Sequence, residues 1–510
     1  MNGNTVKKVV LATFLLLGIV FFCFYGDKDV RDDGSVARIT IGFTNDTHGF
    51  AERKNGERWG YAALASLVKK LREEDPEMLL IDAGDTFSGG GALAEFSTGK
   101  LIVDIMNEMG YDIMSVGNHD FNYSYKRLQQ LVSMADFSVI NANVLMNGKP
   151  VFTPYVTRQV NGVKISFIGL ITDKANNQVN GTDKENLFVE RPEKVLAQYL
   201  PIIRPHSDIV VVVGHLGADR NVVSKVKGVD LIIDGHDHVR LTNKYINGVK
   251  VFSSGQYLER FGVVKIFWQN GKFLNNEKYD IENKTDTLYE PTMNIKEDQV
   301  VKRIIERTVS KYRPTLNRRI ALLPFEVEGS LTDNRTRSTM VTNFVTDVMR
   351  RKSGADLALL NGGCLRKGIF RGNVLYRDLL EVFPFTNRIM LTHMTGAEIK
   401  AALNYGLRLY PQPFGGFLQV SGVKVYVDRS GKKVDKIVFD NGKTLQDKDV
   451  YKVATTDFLM NGGDGHKVFV GKDMVQGFGS LFSAMVSELS SLKPEDENWL
   501  KRERIIYTKK

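Results

Sequence analysis

From residue 39 onward the chain repeats one device, a short run of apolar and often β-branched residues followed by a turn of Gly, Asp or Asn. The runs are 39–43 (Ile-Thr-Ile-Gly-Phe), 78–81, 113–116, 165–168, 209–213 and 231–233. Runs this short, bounded by turn formers, predict buried strands rather than helices. Between them, residues 61–74 and 101–109 carry apolar positions at helical spacing. Strands alternating with helices predict an α/β domain spanning residues 36–275. Residues 276–320 form a linker: a polar, aperiodic stretch over 282–291 leads into an exposed helix over 297–312. A second α/β unit occupies 321–510, with helices over 340–351 and 397–407 and strands over 357–360 and 423–427. There is no internal repeat.

Residues 1–35 stand apart. An apolar run over 9–25 follows Lys7 and Lys8, which predicts an export signal or an uncleaved membrane anchor that carries the rest of the chain out of the cytoplasm. Bulky Phe21, Phe22, Phe24 and Tyr25 stand where a signal peptidase needs small residues, which favours the anchor. The charge of +10 is a mild bias over 510 residues. Its one dense patch, Lys501, Arg502, Arg504, Lys509 and Lys510, reads as a solvated tail. Only Cys23 and Cys364 are present, so a disulfide framework and a thiolate metal site are both excluded.

The chemistry gathers where the first domain's strands end, in Asn45-Asp46-Thr47-His48-Gly49, Ala83-Gly84-Asp85, Gly117-Asn118-His119-Asp120, Gly214-His215 and Gly235-His236-Asp237-His238. Asp-x-His is expected to place both side chains on one side of an extended segment, and His236 with His238 repeats the spacing. Taken singly, a strand-end Asp is a turn former and a lone His a surface or core residue. Taken together, five of the eight histidines fall in these motifs, and hard oxygen ligands mixed with imidazole suit Zn, Mn, Fe, Co or Ni.

With these motifs the sequence resembles the calcineurin-like metallophosphoesterases, and more closely the 5′-nucleotidase, UDP-sugar hydrolase and 2′,3′-cyclic-nucleotide phosphodiesterase family. The resemblance implies a four-layer αββα sandwich followed by a linker helix and a smaller α/β nucleotide-binding domain. It also implies two divalent metal ions, Zn, Mn or Co. Asp46, His48, Asp85 and His238 would surround one, and Asp85, Asn118, His215 and His236 the other. Asp85 would bridge them, and His119 would assist the transition state. Many nucleotidases of the family carry an Asp three residues after this His; here Asn122 can orient the imidazole but brings no charge.

Selectivity needs a second surface. The second unit offers Asn361-Gly-Gly-Cys-Leu-Arg366, Phe383-Pro-Phe385 and Phe458-Leu-Met-Asn-Gly-Gly-Asp464. Arg can bind phosphate as a rigid fork, and two Phe rings can sandwich a base. The family resemblance implies that Arg335, Asn361, Arg366, Phe385, Phe458 and Asp464 contact substrate. The expected partner is a single nucleotide rather than a nucleic acid duplex, and no obligate protein partner is implied. A UDP-sugar or dinucleotide pyrophosphatase is the alternative, with a nuclease or a non-catalytic surface protein behind it.

Overall fold

The computed structural model describes residues 35–508, except 55, 177–178, 180–186, 275–285, 292–293, 386 and 429. The apolar run over 9–25, with the anchor expected of it, lies outside the described residues. Among the described residues no helix is long and apolar enough to cross a membrane.

Two sheets lie face to face in the first unit. Ala37–Thr44 runs parallel to Leu79–Asp82, which is followed by Ile113–Ser115 and Ser138–Ile140, and antiparallel to Phe261–Gln269. The other sheet centres on Ile209–His215, parallel to both Val163–Ile171 and Leu231–Asp234. Strand alternation turns Ile39, Ile41 and Phe43 inward, where they share one buried cluster with Phe167, Val211, Val213 and Ile233 of the facing sheet. On the outer faces, Leu80 and Met114 pack under helices Tyr61–Glu74 and Lys100–Met109, and Ile168, Val210 and Val212 pack under Pro192–Ile203. Each fully buried Ile or Phe contributes roughly 1.5–3 kcal/mol. The layers run helix, sheet, sheet, helix, the sandwich implied by the family resemblance.

The second unit has a five-stranded sheet in the order Leu418–Ser421, Leu357–Asn361, Val450–Thr456, Arg388–Thr395, Met474–Ser480. Helices Met340–Ser353 and Leu481–Leu489 cover one face and Gly396–Leu407 the other.

Two expectations need correction. The helix between the units, Gln299–Leu316, is not an exposed spacer. Its N-terminus is capped by Asp298, which accepts from the amides of Val300 and Val301 at 3.0 Å. One side of it buries Val301, Ile305 and Leu316 in the first unit's helical layer, and Tyr312 stacks on Phe96 with centroids 5.1 Å apart. The C-terminal basic patch is not uniformly solvated either. Arg504 is buried, and both its terminal nitrogens donate to Asp347 at 2.8 Å. The cause is the return of Ile505–Tyr507 as a strand parallel to Val423–Val427, which carries Arg504 beneath helix Met340–Ser353. Burial opposes ionisation of Asp347, but Arg504 overcomes it and holds the carboxyl below the ordinary range.

Candidate active site

Every candidate ligand of the first unit stands at the carboxyl end of a parallel strand. Asp46 and His48 follow Ala37–Thr44, Asp85 follows Leu79–Asp82, and Asn118 with His119 follows Ile113–Ser115. His215 closes Ile209–His215, and His236 and His238 follow Leu231–Asp234. The local geometry differs from the extended segments expected for Asp-x-His. Asp46, His48, Asp85, His236 and His238 all have left-handed backbone, with φ of 49°, 49°, 56°, 89° and 60°. Convergence comes from tight turns, not from strand alternation, at a general cost of roughly 1–2 kcal/mol per residue. Neighbouring loops hold the turns: the Asp46 amide donates to Gly84 O at 2.9 Å and the His48 amide to Asp85 O at 2.8 Å. Two of these loops touch through glycine, since a Cβ on Gly117 would lie 2.3 Å from Asp85 Oδ1.

The ligand atoms form two overlapping groups, Asp46–His48–His238 and Asp46–Asp85–His215, with the atoms of each group within 4.8 Å of one another. His215 Nε2 is 3.0 Å from Asp85 Oδ2 and 3.9 Å from Asp46 Oδ1, and His238 Nε2 is 3.4 Å from Asp46 Oδ1. His236 Nδ1 lies 2.9 Å from Asn118 Oδ1, and the His236 amide donates to Asp46 Oδ2 at 3.0 Å. Thus five of the seven candidate ligands converge in two overlapping groups, with the His236–Asn118 pair adjoining them through the His236 amide, and Asp46 stands as centrally as Asp85.

The cluster fits cations. His48 Nδ1 is committed to Ser88 O at 3.1 Å, leaving Nε2 only 3.2 Å from His238 Nε2. His215 Nδ1 is committed to Ala83 O at 2.8 Å, which leaves its buried Nε2 facing the carboxylates of Asp85 and Asp46. Charge tells the same story. Burial works against ionising Asp46, yet His215 and His238 beside it hold its pKa at about 2. Burial would lower His215, but Asp85 and Asp46 raise it to about 10. The carboxylates demand positive charge at this point, whether from protons or from metal ions.

His119 is held beside the cluster by its amide, which donates to Asp85 Oδ1 at 2.7 Å. The Asn122 side-chain amide donates to His119 Nδ1 at 3.1 Å, which leaves the proton of a neutral ring on Nε2. Burial, assisted by Arg366 and against the pull of Asp85, lowers the His119 pKa to about 4.

Two further residues brace the ligand loops. Asp120 accepts from the amides of Asp85, Thr86, Phe87 and Gly117 at 2.8–3.0 Å, tying the two loops that carry Asp85 and Asn118. Arg220 donates from Nε to Asp234 and from Nη2 to Asp237, each at 2.6 Å. Asp234 also accepts from the Leu216 amide at 2.8 Å, so one buried fork links the His215 turn to the His236–His238 turn. The final position of Gly-Asn-His-Asp signalled Asp120; no local pattern signals Arg220.

From the second unit, Arg366 and Phe385 reach the same place. The Arg366 guanidinium is 5.1 Å from the Phe385 centroid, and that ring is 5.7 Å from the His119 ring. Asn361 donates to Asp464 Oδ2 at 2.8 Å. Asp464 has left-handed backbone, with φ of 52°. Burial, with Arg366 adding repulsion, lowers the pKa of Arg335 to about 10. Among the described residues Arg335 Nε, Arg366 Nε and Asn361 Oδ1 are buried without hydrogen-bond partners. Phe458 is half-buried against the Gly463 turn.

Two family models match the chain. Residues 39–240 match the family model of calcineurin-like phosphoesterases, and residues 320–471 match that of the 5′-nucleotidase C-terminal domain. The chain is 25% identical to the trifunctional nucleotide phosphoesterase protein YfkN of Bacillus subtilis over 91% of its own length, but spans only 35% of that protein. It is 25% identical to rat 5′-nucleotidase, covering 91% of this chain and 90% of the relative. The crystal structure of a 5′-nucleotidase precursor from Thermus thermophilus superposes with a TM-score of 0.79 at 24% identity, covering 93% of this chain and all of that one.

Proposed function

The chain belongs to the family in which a calcineurin-like phosphoesterase domain is joined to a 5′-nucleotidase C-terminal domain and is a metal-dependent phosphoester hydrolase, and we propose that it releases phosphate from 5′-nucleotides outside the cytoplasm. One observation carries the substrate: Phe385 of the second unit stands against His119 of the first, with the Arg366 guanidinium over the same ring. A nucleotide there is held by its base and its phosphate at once. We assign residues 36–275 to the metal unit, 276–320 to the linker and 321–510 to the nucleotide unit, with delivery by the segment over 1–35.

Asp46, His48, Asp85 and His238 would hold one divalent ion, and Asp85, Asn118, His215 and His236 the other. When bound, such a pair supplies an activated water and neutralises charge on the phosphoryl oxygens. Arg335 and Arg366 gain in the substrate phosphate the anion that their burial lacks. Phe385 and Phe458 stack on the base, and Asn361 and Asp464 meet the ribose hydroxyls. The Nε2 proton of His119, fixed there by Asn122, is available to the phosphoryl or leaving oxygen.

The test is to offer the chain lacking residues 1–35 AMP, 2′,3′-cyclic AMP, UDP-glucose and bis-p-nitrophenyl phosphate with Mn, Co or Zn. AMP is expected to release phosphate fastest, with slower opening of the cyclic ester. Preferential cleavage of UDP-glucose would move the assignment to a pyrophosphatase.

A further inference from the structure

The first unit places one more polar group in the cleft, the hydroxyl of Tyr257. The Tyr257 ring is packed edge-on among His48, His238 and Phe50, with centroid separations of 5.4, 5.8 and 4.9 Å. Its backbone amide donates to Asp46 O at 2.7 Å, and Leu258 O accepts from the Trp59 amide at 2.9 Å. Both residues have left-handed backbone, with φ of 55° and 57°. The ring is therefore anchored to the loop of the Asp46–His48 group.

Its hydroxyl is buried and has no hydrogen-bond partner among the described residues. A buried donor left unpaired costs about 1–3 kcal/mol, so a rigidly held one implies a partner from outside the chain. Arg335 Nε, Arg366 Nε and Asn361 Oδ1 share this condition. The phenol is close enough to Arg335 to bear on its charge, and Arg366 bears likewise on His48. Tyr257 thus stands between the metal-side histidines and Arg335. Ligands that suit this position are anionic acceptors, because the surrounding groups are cations or would hold them. The residues assigned to base and ribose, Phe458 and Asp464, belong to the other unit.

Resting on the nucleotide reading above, we propose that the Tyr257 hydroxyl donates a hydrogen bond to a non-bridging phosphoryl oxygen of the substrate, a second phosphate-contacting side chain of the phosphoesterase unit beside His119.

Tyr257→Phe keeps the ring and its packing and removes only the donor. It is expected to lower kcat/KM about 10–100-fold, the range of a hydrogen bond to a charged group. The loss should be equal on AMP and p-nitrophenyl phosphate, with bound metal unchanged and the melting temperature of the ligand-free protein equal or higher. Calorimetric binding of inorganic phosphate to the Mn-loaded protein should weaken by a similar factor. This second measurement needs no turnover, so it tests Tyr257 even if AMP proves not to be a substrate. A loss confined to AMP would assign the hydroxyl to the nucleoside and overturn the proposal, as would phosphate affinity and p-nitrophenyl phosphate turnover that match the parent protein.

Discussion

The two faces of the cleft are finished to different degrees. On the metal side, loops are clamped by Asp120 and Arg220, and His215 rises to a pKa of about 10 to balance Asp46 and Asp85. On the opposite side, Arg335, Arg366 and Asn361 keep buried polar atoms without partners. Loose construction does not explain this, because the same unit gives Arg504 two 2.8 Å bonds to Asp347. Within one unit, an arginine paired inside the chain and arginines left with unpaired buried nitrogens mark the difference between a structural cation and a binding one. Apart from the Tyr257 hydroxyl, the metal face is braced by its own residues, whereas the opposite face keeps the buried polar atoms that the proposed nucleotide would pair.

The comparison can be broken most severely at Asp85. Asp85→Asn removes a central negative charge from the cluster and should abolish turnover with loss of bound metal, measured by phosphate release and metal analysis. Full activity with two ions retained would end the two-metal assignment.

Next in size is the internal control. Asp347→Ala strands the Arg504 charge and should cost about 3–5 kcal/mol of stability, read as a shift of the urea midpoint. Because the folded carboxyl lies below its unfolded value of about 3.9, the stabilisation is complete above that pH and lost as pH falls through the folded value. The gap between parent and variant should therefore narrow in acid. A gap that stayed constant through that acid range would mean that Asp347 is not the ionised partner.

Arg220→Ala probes the bracing of the metal face alone. Metal affinity should fall about 10–100-fold, the usual effect of losing support behind ligands, while nucleotide binding by the second unit persists. Unchanged metal affinity would reduce Arg220 to a fold contact.

The smallest effects belong to the opposite face. Phe385→Ala and Phe458→Ala should each weaken nucleotide binding by about 1–3 kcal/mol and leave hydrolysis of bis-p-nitrophenyl phosphate nearly unchanged. Equal losses on both substrates would identify the rings as core.

Much of this architecture was legible from residue pattern alone. Runs such as 39–43 and 209–213 alternate or stay apolar because both sheet faces are covered, and their turn residues marked where the candidate ligands gather. What could not be read depends on contacts between distant segments. Arg220 reaches Asp237 across 17 positions, and Arg504 reaches Asp347 across 157. The stripe Val301, Ile305, Val309, Tyr312 and Leu316 of Gln299–Leu316 has helical spacing, but the spacing does not say which distant layer it docks on, and the left-handed turns are hidden because Asp and His, unlike Gly, do not announce such a backbone.

Those turns bear on how the sequence can drift. At Asp46, His48, Asp85, His236 and His238 glycine would suit the backbone better than the residue present. Random substitution toward glycine there would relieve conformational strain while removing a candidate ligand, so thermal robustness and turnover should be in opposition at five positions within one cluster. Selection on folding alone would not preserve this pattern. A homologue released from the need for catalysis should lose these side chains first, and should melt later for having lost them.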